Sequence, residues 1–491
     1  MKSTENIAHY SMKTLFIAFA TLIVASCWLS AALDSFYPLA IPPIILLIYI
    51  SITDFRSVFF FLLACIPIST EIELPNGFST DLPTEPLIIG LMLIYWLYIL
   101  KKGVILSRPV GITVNSSRSG KFFQHPITLL LLMHIGWTFV AVVNSENLFF
   151  SIKYFLAKIW YITTFYFLAA LLLREKQDFK RFFWCMAIPL SIAVGITLFR
   201  HGLRGFSFED VNRVMTPLFR NHVMYGCIVA VFLPYIALGI SWQKRWSIKW
   251  WFLSFVFVMF LAAVQLSFTR AAYVAIVGAI AYYFVVKFRL TKILVGCAAV
   301  GMIVFVAYLV NGNKYLDYAP KFEKTISYTK FDNLLEATTK GEDISTMERV
   351  YRWVAGFRMV GEKPYMGFGP NNFYNFYKSY TVTSFRTYVS DNTDGSTVHC
   401  YFLLVAIEQG IPGLLIFLTL IFYTLIKAEQ VYYKIASEYK GILLATLLSF
   451  VVVLILNLIN DIIETDKVGS FFFMSLAIIA NLDINTSEEK S

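Results

Sequence analysis

The sequence predicts an all-α polytopic integral membrane protein with about 12–14 transmembrane helices and one large folded loop on the outer face. Three observations predict it. The 491 residues are 58% apolar, 17% aromatic and only 15% charged, with positive mean hydropathy, a composition outside the range of soluble domains. Apolar runs of spanning length recur from residue 14 to residue 482. Lysine and arginine then mark every second connection between them, as expected for cytoplasmic loops.

The runs lie near 14–33, 36–53, 58–72, 86–100, 126–143, 152–173, 182–199, 221–240, 250–268, 271–288, 292–310, 399–426, 441–460 and 467–482. The first is too long for a signal-peptide core and lacks a clear small-residue cleavage site, so it reads as a retained helix. Basic connections carry Lys101, Lys102, Arg108, Arg118 and Lys121, then Arg174, Lys176, Lys180 and Arg181, then Lys244, Arg245 and Lys249, then Lys287, Arg289 and Lys292, then Lys427, Lys434 and Lys440. This pattern puts both termini in the cytoplasm and divides the chain into helices over 1–310, an outer loop over 311–398 and further helices over 399–482. The scattered cysteines, Cys27, Cys65, Cys185, Cys227, Cys297 and Cys400, have neither disulfide nor zinc-site spacing.

The polar stretch 311–398 is too long for a simple connection, and its sequence argues for a fold. Ser345 and Glu348 have capping-box spacing, which predicts a helix start. Val350, Trp353, Val354 and Phe357 then share one face and Arg349 and Arg352 another, until Gly361 and Pro364 end the helix. A turn sequence from Met366 to Phe373 leads into the aromatics Tyr374, Phe376, Tyr377 and Tyr380. These read plainly as loop core or as an interfacial belt. Asp391 and Asp394 read as a turn and not as a metal pair.

Several charges sit where membrane proteins seldom place them. The outer connection between the seventh and eighth helices holds Arg200, Arg204, Arg213 and Arg220, against the positive-inside trend. A guanidinium offers a planar two-donor fork to phosphate, so these side chains are candidates to meet an anion, Arg213 and Arg220 among them. Tolerance of base in a long outer loop is the plainer alternative. Arg270 lies at the junction of two apolar runs, where a charge marks a site or snorkels to the headgroups. His399 opens the helix after the loop; an ordinary histidine takes a proton near neutral pH without tuning. Glu408-Gln409-Gly410-Ile411-Pro412-Gly413 predicts a broken helix. Asp461, Glu464 and Asp466 read mainly as a solvated loop, with a positioning role as the alternative. No Walker motif, HExxH or metal-spaced His/Cys set is present, so no metal or cofactor is expected, nor a nucleic-acid partner.

Phe219-Arg220-Asn221-His222-Val223-Met224-Tyr225-Gly226, Ser267-Phe268-Thr269-Arg270-Ala271-Ala272-Tyr273, Glu348-Arg349 through Gly367-Phe368-Gly369-Pro370-Asn371-Asn372-Phe373, and His399-Cys400-Tyr401-Phe402 through Glu408-Gln409-Gly410-Ile411-Pro412-Gly413-Leu414 together resemble the O-antigen ligase and O-antigen polymerase superfamily. The resemblance covers roughly residues 190–425. It implies a multi-helix membrane fold related to C-type glycosyltransferases, in the bacterial inner membrane, with the loop and the active site on the periplasmic face. It implies a metal-independent enzyme that moves a glycan from undecaprenyl diphosphate to an acceptor hydroxyl such as that of lipid A–core. On this chain Arg220 and Arg270 would hold the diphosphate, His399 would be the base, and Arg349 or Arg352 would add a contact. The family usually has Asn after this histidine, where this chain has Cys400. A ligase is the leading expectation, a repeat-unit polymerase the nearest rival, and a polysaccharide-lipid transporter or flippase the alternative from another class.

Overall fold

The computed structural model describes residues 2–35, 37–73, 79–100, 116–318, 344–383, 390 and 395–488. Lys101, Lys102, Arg108, Asp391 and Asp394, and the side chain of Ser345, lie outside the described residues. Helices α1 (Lys2–Ala32), α2 (Ile41–Thr53), α3 (Phe55–Cys65) and α4 (Thr84–Leu100) come first in the chain. They are followed by α5 (Pro126–Val143), α6 (Leu148–Leu172), α7 (Lys176–Gly202), α8 (His222–Ser241), α9 (Ile248–Leu266), α10 (Arg270–Lys287) and α11 (Thr291–Val310). The loop helix α12 (Ile344–Glu362) precedes α13 (Tyr401–Tyr432), α14 (Ser437–Ile459) and α15 (Asp466–Glu488). Among the described residues ten helices are long and apolar enough to cross a membrane, and four shorter apolar helices occupy 16–100.

The expectation of an all-α chain needs one correction. Residues 70–72, read as the end of an apolar run, belong to strand β1 (Thr70–Glu73), which pairs antiparallel with β2 (Ser79–Leu82). The alternation of charge and apolar residue in Thr70-Glu71-Ile72-Glu73 suits a two-residue repeat better than a helix.

The chain divides into two compact units. In the first, 1–62 with 89–113, α1 folds back through a short turn onto α2, and Ser30 Oγ closes the turn by donating to the Ser35 carbonyl at 2.5 Å. In the second, 63–88 with 114–491, α8 packs on α9 and α14, α10 on α14, and α5 on α13. The last helix, α15, is almost wholly enclosed by its neighbours, whereas α11 turns Ile303, Val304 and Phe305 outward. Buried Ser470, Ser475 and Asn481 fit α15's enclosed position, since small and polar residues allow close helix contact without a lipid-facing polar group. Asn481 Nδ2 donates to the carbonyls of Ala170 and Leu173 at 2.8 and 3.2 Å, which binds α15 to the end of α6.

The break foreseen in α13 is present: Gly410 has φ 72° and ψ 177°, a region almost confined to glycine. The interruption frees backbone groups inside a membrane helix, and these need partners. The turn after α12 supplies them. Phe368 and Gly369 amides donate to the Ile407 and Glu408 carbonyls at 2.9 Å each, and the Ile411 amide donates to Pro364 O at 2.7 Å. Trp137 Nε1 takes the Gln409 carbonyl at 2.8 Å. Glu408, 3% exposed, accepts the Asn372 and Phe373 amides at 3.1 and 3.2 Å. The Gly367–Phe373 motif therefore plugs the loop into the broken helix. A Cβ at Gly410 would come within 2.1 Å of Tyr365 O, whereas one at Gly301 on α11 meets nothing within 4 Å. Gly410→Ala should lower stability by at least the roughly 1–3 kcal/mol that such a backbone conformation costs a non-glycine residue, and Gly301→Ala should be near neutral. Thermal unfolding of the two purified variants in detergent checks this, and equal midpoints would contradict it.

Candidate functional site

His399 is the residue about which the site is built. It has φ 53°, uncommon for a non-glycine residue, and its Nδ1 stands 3.8 Å from Asp461 Oδ1, beyond hydrogen-bonding distance. Its backbone is fixed on both sides. The Tyr401 amide donates to Asn460 O at 3.1 Å, and Thr397 Oγ1 hydrogen-bonds Asp461 Oδ2. Arg352, nearly buried, donates from Nη1 to the Thr397 carbonyl at 3.2 Å, with Nη2 3.6 Å from Glu348 Oε2. Ser390 Oγ holds the other Glu348 oxygen at 2.6 Å. Glu348 thus orients Arg352, and α12 begins at Ile344, next to the expected start at Ser345.

Burial, then the charges of Arg349 and Arg352, lower the His399 imidazole from its ordinary value near 6.5 to about 3. Helical spacing had put both arginines on one face of α12, and that face acts on this ring. The same arrangement takes the histidine away from near-neutral titration. Burial also raises the Asp461 carboxyl, against the hydrogen bond from Thr397. Burial pushes the Cys400 thiol up as well, so a thiolate nucleophile is not favoured there.

One turn further, Glu464 joins a network that sequence reading passed over. Lys158, 4% exposed within α6, donates to Glu464 Oε1 at 2.8 Å, to Tyr154 Oη at 2.9 Å and to Tyr401 Oη at 2.8 Å. Both tyrosine hydroxyls also donate to that carboxylate oxygen, at 2.7 and 2.6 Å. Burial alone would raise the Glu464 carboxyl, but Lys158 and these donors hold it below its ordinary value. Asp466, 2% exposed, accepts from Ser69 Oγ at 2.7 Å and Thr84 Oγ1 at 2.9 Å. Lys467 Nζ donates to Ile66 O, Ser69 O and Ser69 Oγ at 2.8–3.0 Å. The reading of 461–466 as a solvated loop is therefore corrected. Each carboxylate faces inward to a named partner, and the signal that could have found them was a lysine, Lys158, well inside an apolar run.

The segments that carry Arg220 and Arg270 are joined at the start of α8, although Arg270 does not line the cavity that Arg220 lines. His222 Nδ1 bonds the Ser267 carbonyl at 2.7 Å and Thr269 Oγ1 donates to His222 O at 3.1 Å, joining the start of α8 to the α9–α10 junction. Gly226 permits the approach, since a Cβ there would stand 2.7 Å from Ser267 Oγ. Arg220 lines a cavity of about 550 Å³ together with Glu464, Asp466 and Lys467, its Nε 3.7 Å from Glu71 Oε2. The other arginines of that connection turn elsewhere: Arg204 and Arg213 pair with Asp210 at 3.1 and 3.4 Å, and Arg200 donates to Thr216 O. Arg213 is not among the cavity's lining residues.

Residues 255–418 match the family model described as O-antigen ligase. Over that segment the chain is similar to the O-antigen ligase family. No curated protein matches it. The O-antigen ligase match spans Arg270, Arg349, Arg352 and His399, and leaves Lys158, Arg220 and the 460–467 segment outside its bounds. Among the described residues no His, Cys, Asp and Glu group has the arrangement of a metal site. The aromatic run serves the loop's own core. Phe373 and Tyr377, both buried, stack at 4.9 Å, and Phe368 contacts Phe376 and Tyr380.

The Lys158–Glu464 pair yields a stability prediction. Removing one member of a buried ion pair costs roughly 3–5 kcal/mol, so Lys158→Met should sharply lower the unfolding midpoint. Adding Glu464→Gln should recover most of the loss. A single variant as stable as the wild type would show that the pair does not hold the segment.

Proposed function

We propose that the chain is a glycan transferase of the ligase type. It moves a polysaccharide from undecaprenyl diphosphate to an acceptor hydroxyl, on lipid A–core or a comparable acceptor, at the periplasmic face of the bacterial inner membrane, without a metal. The observation that carries this reading is the setting of His399, a neutral imidazole between Asp461 and the Arg349 and Arg352 charges, inside the segment that matches the O-antigen ligase family. Members of that family are glycosyltransferase-like enzymes.

In this reading Arg220 and Arg270 grip the diphosphate. Departure of the sugar builds negative charge on the leaving phosphate oxygens, and guanidinium groups placed beside them stabilise it where it develops. His399 takes the proton of the acceptor hydroxyl as that oxygen attacks the anomeric carbon. An imidazole lowered to about 3 is a weak base in the empty enzyme. An incoming diphosphate beside Arg349 and Arg352 offsets the charges that depress it, so basicity rises once the donor is bound.

Three experiments test the reading. The lipopolysaccharide ladder of a deletion strain should lack surface polymer while long lipid-linked chains accumulate. A core carrying a single repeat would instead identify a polymerase, and loss of lipid-linked chains from the outer leaflet a flippase. For His399→Ala, transfer by purified protein should fall by roughly 10²–10⁴, the range of positioned proton transfer, with donor binding retained. In the wild type, a folded-state value near 3 keeps the free imidazole neutral as pH falls through 6.5, so kcat/KM should stay flat there. The acid limb of kcat, which reports the donor complex, should lie at higher pH. Coincident limbs near 6.5 in both parameters would sink the proposed coupling.

A further inference from the structure

The cavity beside Arg220 has a second wall that the transfer chemistry above does not use. Glu71 and Asp81 are direct cross-strand partners in the β1–β2 hairpin, so their side chains share one face of it, and both line the cavity. Like charges directly opposed destabilise a strand pair, and a two-stranded hairpin is marginal by itself. This one is fastened at both ends to the first turn of α15. Ser69, before β1, and Thr84, after β2, both donate to Asp466 Oδ2, and Lys467 holds the Ser69 carbonyl and hydroxyl. Two carboxylates are thereby presented firmly toward about 550 Å³ of space whose remaining rim carries Arg220.

The lining therefore offers both a guanidinium group and carboxylates. A glycosyl phosphate has the matching halves, an anionic phosphate and a ring of hydroxyl donors, and carboxylates accept strongly from hydroxyls. We propose that this cavity is a carbohydrate subsite that takes the sugar ring adjoining the diphosphate of the lipid-linked donor, with Asp81 bonding ring hydroxyls and Arg220 at the phosphate end. The inference rests on the reading of Arg220 as a diphosphate ligand. Burial, then Asp466, push the Asp81 carboxyl up to about 7, with Lys467 opposing and Glu71 and Glu85 adding to the rise. Near neutral pH Asp81 can thus both accept from and donate to a sugar.

The test uses the full-length protein in nanodiscs and two probes, bare undecaprenyl diphosphate and the lipid-linked glycan extracted from the host membrane. Asp81→Asn should weaken binding of the glycan-bearing lipid about tenfold, in keeping with a hydrogen bond to a charged group, and Asp81→Ala by at least as much. Both should bind the bare lipid within twofold of wild type. Because Asp81→Asn relieves repulsion from Glu71, its unfolding midpoint should not fall. Unchanged affinity for both lipids, or equal loss on both, would overturn the sugar subsite. Arg220→Lys separates the underlying reading: it should lose both lipids, and if it loses neither, or the wild type binds neither, the donor assignment fails and the subsite with it.

Discussion

The charge of Lys158 is the constraint on which the rest of the site depends. An ammonium group within a membrane-spanning helix needs a counter-charge and further hydrogen-bond acceptors, and here the 460–467 segment delivers Glu464 while Tyr154 and Tyr401 complete the shell. Once Glu464 is fixed, its neighbours have little freedom. Asp461 is turned toward His399, and Asp466 and Lys467 toward the foot of the hairpin. One short connection between α14 and α15 thus sets His399, the cavity and the hairpin relative to one another.

Much of the membrane architecture was legible because bilayer-spanning helices announce themselves by length and apolarity. The break at Gly410 could be read because glycine, proline and a carboxylate close together in an apolar run seldom suit an unbroken helix. The β1–β2 hairpin was hidden because four-residue strands give almost no periodic signal next to a helix end. Within the site, His399, Arg349 and Arg352 were found from helix spacing and position. Glu71 and Asp81 were not, since their partnership exists only in the register of the hairpin. The carboxylates of 461–466 were misread for a related reason: an acidic cluster at a helix end is usually solvated, and only tertiary packing brings Lys158, Ser69 and Thr84 to meet it.

The arginines divide by partner more than by sequence position. Arg204 and Arg213 are engaged by Asp210 within their own connection, and Arg352 is oriented by Glu348. Arg220 keeps a long 3.7 Å contact with Glu71 and remains well exposed at the cavity rim. A loosely held guanidinium next to open space can change partners at small cost, whereas Arg352, fixed on both sides, acts on His399 chiefly through its field.

The plug formed by residues 364–373 also bears on how the loop before α13 can be handled. Its amides and carbonyls find their partners in the interrupted α13 and in the turn at 144–147, and Asn372 Nδ2 reaches Ser145 Oγ of that turn at 2.7 Å and Ser151 Oγ of α6 at 3.1 Å. Cut away from the membrane helices, this segment would expose a row of unpaired backbone groups and lose the socket that gives it shape. The loop is therefore no autonomous ectodomain. An antibody raised against the excised peptide would recognise a different conformation from the one displayed at the membrane surface, and grafting the loop between homologues would require carrying the Glu408–Gly410 seat along with it.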